Sequence, residues 1–144
     1  MIENIVYNSQ LLSIIIRKEY SNDGIVFLTP DSFSQQLGYM CRDKDYIIEP
    51  HVHNSVLRTV TLTQEVLLIK RGKVRIDYYD ESKNYLESRI LETGDVVLLA
   101  AGGHGFKMLE KSEIIEIKQG PYCGEADKSR FSPLDEQIVK PNII

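Results

Sequence analysis

An all-β, antiparallel barrel of jelly-roll type is the fold this sequence predicts, and three observations lead to it. Short apolar runs recur along most of the chain, polar or glycine-containing turns separate them, and no long stretch with a helical period competes. Eight or more such runs in a chain of 144 residues suit a jelly roll. That length accommodates one domain with a real core and not two comfortable ones.

The elements follow in chain order. Residues 11–16, 24–28 and 46–49 are the first strand candidates, each a short run of β-branched or aromatic residues. In Lys73–Tyr79 the apolar Val74, Ile76 and Tyr78 alternate with Lys73, Arg75, Asp77 and Tyr79, which predicts a half-buried strand with one wet face. The polar residues 80–84 form a turn, so residues 85–91 pair back on that strand as a hairpin. Gly94-Asp95 then punctuates the chain before Val96–Leu99, whose unbroken apolar character suits a strand buried on both faces. Residues 106–109 and 114–118 supply two more strands. From Pro121 the sequence becomes polar and proline-punctuated, so the expected division is a barrel over 1–120 and an arm or tail over 121–144.

Charge and cysteine content limit the function classes. With 17 basic and 21 acidic residues the chain offers no electrostatic case for nucleic acid. Cys41 and Cys123 do not make a disulfide framework and are expected as reduced thiols. No basic region precedes a long apolar run near the start, and residues 11–16 are far too few to span a bilayer, so a soluble, cytoplasmic protein is expected.

His51, Val52 and His53 form an HxH triplet. Side chains two apart on a strand point the same way, so both imidazoles can reach one ion, and imidazole with carboxylate suits a divalent transition metal. The chain has three histidines in all. Glu49 shares the strand parity of the pair, as a general base or as a group orienting one of the histidines.

The triplet, the run Glu65-Val66-Leu67-Leu68-Ile69-Lys70-Arg71-Gly72, and the stretch from Gly94-Asp95 to His104-Gly105-Phe106 together resemble the two sequence motifs of the cupins. The resemblance covers roughly residues 51–106. It implies a single cupin barrel with His51, His53, Glu65 and His104 as metal ligands, the metal being Fe, Mn, Ni, Cu or Zn. The chain departs from the pattern in the eleven residues between His53 and Glu65, where the family has only a few, and in Ala100 where proline is usual. A longer hairpin excursion around residues 54–59 would still bring Glu65 opposite His53, whereas a slip of one residue would turn Gln64 inward. Gly102, Gly103 and Gly105 read as a tight turn placing His104.

Cupins include dioxygenases, isomerases, epimerases, decarboxylases and binding proteins, so the resemblance alone fixes no reaction. The leading expectation is a metal-dependent enzyme on a small polar, carbohydrate-related metabolite, with Glu49 or Tyr39 moving a proton. A second resemblance, to the nucleotide-sugar 3,4-ketoisomerases, rests on Tyr39 upstream of the HxH pair and on Gly120-Pro121-Tyr122 followed by Asp127-Lys128-Ser129-Arg130-Phe131. It implies metal-free acid–base chemistry by His51 and His53 with Tyr39 assisting. A non-catalytic metal- or sugar-binding module is the third expectation. Arg58, Arg75 and Lys107 are candidate clamps for an anionic substrate. If Glu65 faces the barrel, Leu67 and Ile69 do too, while Val66 and Leu68 face outward and need cover. A homodimer is the expected source, with the N-terminal strands of the same chain as the alternative.

Overall fold

A computed structural model of the chain describes residues 1–140, so the last four residues of the expected tail lie outside the described ones. The described chain is all-β, with ten strands and two short 3-10 turns. β1 (Ile2–Tyr7) and β2 (Gln10–Ile16) form a hairpin whose two-residue turn, Asn8-Ser9, has both φ angles positive, the geometry that matches strand twist. β3 (Gly24–Phe27) and β4 (Gly38–Cys41) make a separate hairpin. Then come β5 (Glu65–Arg71), β6 (Lys73–Tyr79), β7 (Tyr85–Glu92), β8 (Val96–Leu99), β9 (Gly103–Met108) and β10 (Glu113–Lys118). No helix among the described residues is long and apolar enough to cross a membrane.

The strands form a five-stranded sheet in the order β1-β2-β8-β5-β10 and a three-stranded sheet in the order β7-β6-β9, both antiparallel throughout. One core lies between them. Ile15, Leu67, Ile69, Val97 and Leu99 from the larger sheet meet Val74, Ile76, Tyr78 and Leu91 from the smaller. Tyr78, wholly buried, donates its hydroxyl to Ser13 Oγ at 3.0 Å, and burial pushes the phenol pKa up. The outer face of the larger sheet is covered in part by the chain itself: Leu28, Phe33 and Leu37, from the β3–β4 connection, pack on Ile14, Ile16, Val66 and Leu98, while Ile115 and Ile117 of β10, opposite Leu68 and Val66, stay exposed. Val66 therefore finds its cover within one chain.

The Gly94-Asp95 signal has a structural cause. Gly94 sits at φ +94°, and Asp95 accepts from the backbone N–H groups of Lys18 and Glu92 and from the Arg17 guanidinium. This carboxylate ties the end of β2 to the turn between β7 and β8.

Three sequence expectations need correction. Residues 46–49 form no strand, and no turn or bend interrupts residues 46–61, so there is no hairpin excursion at 54–59. The strand expected at 106–109 begins earlier, at Gly103, which puts His104 on the strand; the turn before it is made by Gly102, at φ +70°, where a Cβ would lie 2.6 Å from the Tyr79 carbonyl. The face of β6 expected to be wet is buried, with Arg75, Asp77 and Tyr79 each no more than 6% exposed. The cover is the segment after Pro121: Phe131 packs edge-on against Tyr79 with ring centroids 4.9 Å apart, and Glu136 pairs with Arg75. The segment after Pro121 thus lies over the three-stranded sheet.

Candidate functional site

A cavity of about 990 Å³ opens where the start of β5 and the strand β9 face the C-terminal segment. Glu65 is the first residue of β5, opposite Leu99 on β8 and Lys118 on β10. Its side chain shares the core face with Leu67 and Ile69 because side chains alternate. His104 lies opposite Tyr78 on β6, which places it on the inner face of the smaller sheet. The two sheets thereby bring His104 Nε2 to 3.2 Å from Glu65 Oε2. The hydrogen bond from His104 holds the Glu65 carboxyl below the usual carboxylate range, against the burial that would raise it, and Lys118 and Lys128 add to the lowering.

Gln64, one residue earlier, points the other way: it is buried, and its Oε1 accepts from the Gln35 backbone N–H at 3.3 Å. Thr63 donates to Asp127 Oδ1 at 2.6 Å, which fastens the approach to β5 to the C-terminal segment.

His51 and His53 lie elsewhere. Both are exposed, with ring centroids 5.2 Å apart and planes at 78°, in the strandless run before β5, and neither lines the cavity. His51 Nδ1 is 2.9 Å from the Glu49 carbonyl oxygen. A carbonyl can only accept, so Nδ1 donates this bond, and in the neutral ring that leaves the Nε2 lone pair as the one available to a metal. Glu49 thus touches the pair through its backbone. Tyr39, on β4, stacks edge-on against Tyr20 at 4.9 Å and does not line the cavity. The four expected ligands are therefore brought together two by two, Glu65 with His104 and His51 with His53. Among the described residues no three His, Cys, Asp or Glu side chains converge as a metal-binding group.

Two of the three expected anion clamps, Arg75 and Lys107, are engaged by protein groups. Arg75 donates to both oxygens of Asp77 and both of Glu136, and Lys107 Nζ is 2.9 Å from Glu136 Oε1. Arg58 is exposed in the strandless run. Sequence reasoning missed the C-terminal wall, to which Asp127, Lys128, Phe131 and Glu136 contribute. Its signal was an aromatic residue set among charges in a segment otherwise too polar to pack alone.

Arg75 first, and then Lys107, hold the Glu136 carboxyl down at about 2. A carboxylate with a depressed folded pKa contributes to docking above its ordinary value of 4.5, and that contribution is lost as pH falls from there toward 2. Protection of the Ser88 N–H, which donates to the Lys140 carbonyl, against hydrogen exchange, taken relative to its intrinsic rate at each pH, is expected to fall over that window more in the wild type than in Glu136→Gln. Identical pH profiles for the two proteins would show that Glu136 does not secure the segment.

The chain matches no protein-family model, no curated protein and no solved structure.

Proposed function

We propose that the chain is a jelly-roll protein of cupin type that holds a divalent transition metal and acts through it on a small, polar, carbohydrate-related metabolite. The observation that carries this reading is the 3.2 Å approach of His104 Nε2 to Glu65 Oε2 at the cavity wall. Two donors each about 2.1 Å from one ion, at angles between octahedral and tetrahedral, stand roughly 3.0–3.4 Å apart, so this pair is already spaced to share one. The donor types fit such an ion, and the tautomer of His51 fits as well. Further support comes from the topology: apart from the β6–β7 hairpin, every connection from β5 to β10 passes from one sheet to the other.

In this reading Glu65 and His104 hold the ion from the cavity side, and His51 and His53 complete its shell. The ion supplies Lewis-acid polarisation of a substrate oxygen. The protein's own contribution is a pocket of sugar-sized to nucleotide-sugar-sized volume. Thr61, Thr63, Asp127 and Ser129 offer it hydroxyl-matching polar groups, and Phe106 and Phe131 offer flat apolar faces.

One observation favours a second reading, metal-free acid–base catalysis: the His104–Glu65 hydrogen bond is by itself a proton-transfer pair. The separation of Tyr39 from the cavity counts against the ketoisomerase version of it.

Protein purified without a nickel column separates these readings. The expected result is up to one bound ion per chain, with turnover on a panel of sugars and nucleotide sugars lost on chelation and restored by a particular divalent ion. Turnover by stringently metal-free protein would promote the acid–base reading, and tight binding of one sugar without turnover would promote the binding module.

A further inference from the structure

Residues 46–61 run without a turn or a bend, and among the described residues no backbone group from 47 to 62 hydrogen-bonds to the rest of the chain. Sixteen residues in extended form reach up to about 50 Å. The composition is wrong for a solvated linker. Ile47 is 79% exposed, Val52 87% and Leu57 96%, and Ile48, Val56 and Val60 are exposed with them. These β-branched and apolar residues suit a strand with something to pack on. No glycine occurs between Gly38 and Gly72, and nothing in the run turns it back across its own body.

The complementary vacancy is on the same molecule. Among the described residues β9 is the last strand of its sheet, paired with β6 on one side only, and its Phe106 and Met108 are half exposed. A free edge next to apolar surface accepts an added strand through its unpaired N–H and C=O groups. Each copy of the chain thus carries both an apolar run without a ladder partner and an edge without a neighbour among the described residues. A two-fold exchange between two copies satisfies both at once.

We infer that residues 47–61 of one copy add as a strand to the β9 edge of a second copy, and reciprocally, so that each cavity receives His51 and His53 from its partner. The strand pairing stands on exposure and topology. Only the role given to the two histidines rests on the metal reading above. In the register that sets His51 and His53 on the face of His104, the exchange unites the two donor pairs that a single chain keeps apart. It also explains why two histidines with no partner in the cavity lie within the most exposed apolar stretch of the chain.

Three measurements test it. Light scattering is expected to give a dimer for the wild type and a monomer for Val52→Asp/Leu57→Asp, with unchanged circular dichroism; those side chains touch little in a single chain, so a structural defect is not the alternative. In equal mixtures of isotopically light and heavy chains carrying Leu57→p-benzoylphenylalanine, photolysis is expected to join position 57 of one chain to the 103–108 peptide of the other. Co-refolding His51→Ala/His53→Ala chains with Glu65→Ala/His104→Ala chains, each metal-free alone, is expected to restore about one quarter of the wild-type metal, because random pairing gives half heterodimers with one intact site each. A monomeric wild type, cross-links confined within chains, or metal binding without complementation would overturn the exchange. Light-to-heavy cross-links in a wild type that binds no metal would keep the exchange and remove the metal reading.

Discussion

Replacing Glu65 or His104 with alanine is expected to lower metal affinity by at least the 10–100-fold seen when groups supporting a metal site are removed. The two side chains sit 3.2 Å apart, so in the proposed metal reading either loss removes a donor rather than perturbing one. Glu65→Gln keeps the shape but exchanges an anionic oxygen for an amide, and its loss is expected to be smaller. Gln64→Ala is the paired control. Gln64 is buried on the opposite face, so its replacement is expected to lower stability and leave the bound ion in place. Elemental analysis of each variant, with circular dichroism to confirm the fold, decides the matter. Full occupancy in both Glu65→Ala and His104→Ala would remove this pair from the metal site.

The largest effect on stability is expected from Asp77→Ala, a loss of about 3–5 kcal/mol. Asp77 and Arg75 are both buried on β6, and Asp77 accepts from Arg75 Nε at 2.8 Å, from Nη2 at 2.9 Å and from the Ser88 hydroxyl. Removing the carboxylate leaves a guanidinium that cannot lose its charge, with only the exposed Glu136 to answer it. For a domain of this size that corresponds to a fall in Tm on the order of 10 °C. The double change Arg75→Met/Asp77→Leu is expected to cost much less, since it removes both desolvated charges together. Thermal or urea unfolding distinguishes these outcomes. An Asp77→Ala protein within about 1 kcal/mol of the wild type would mean that water reaches Arg75 beneath the C-terminal layer.

What the sequence revealed, and what it hid, follows from whether each signal is local. The β6–β7 hairpin was legible because alternation and turn chemistry sit in the same twenty residues: Asp80 accepts from the Asn84 N–H at 2.9 Å, as a polar turn should. β8 was legible because Val97 and Leu98 are buried on opposite faces. That Glu65, Leu67 and Ile69 share one face was legible from alternation, whereas the choice between Glu65 and Gln64 as the inward residue stayed open until the sheets were placed. β4 was hidden because Gly38-Tyr39-Met40-Cys41 has little strand character of its own and takes its form from pairing with β3. β1 was overlooked although Ile2, Ile5 and Val6 mark it. Residues 46–49 show the opposite failure, a β-forming sequence with no ladder partner among the described residues. The buried face of β6 was misread because alternation reports polarity and not wetness; the cover arrives from Phe131 and Glu136, more than fifty residues downstream. The meeting of Glu65 and His104 depends on both sheets and was anticipated only through the resemblance to the cupin motifs.

The position of β8 has a consequence for how the chain folds in time. β8 lies between β2 and β5 in the larger sheet, pairing Ser13 with Leu99 and Glu65 with Leu99. An interior strand is thus supplied roughly eighty residues after one neighbour and thirty after the other. Until it arrives, β2 and β5 each hold an open apolar edge, and closing loops of that length is slow relative to making a local hairpin. During synthesis the N-terminal hairpin must therefore wait, for seconds at ordinary elongation rates, with its inner edge unpaired. This interval is where nascent chains are most exposed to mispairing with one another, and where a chaperone would find most to hold.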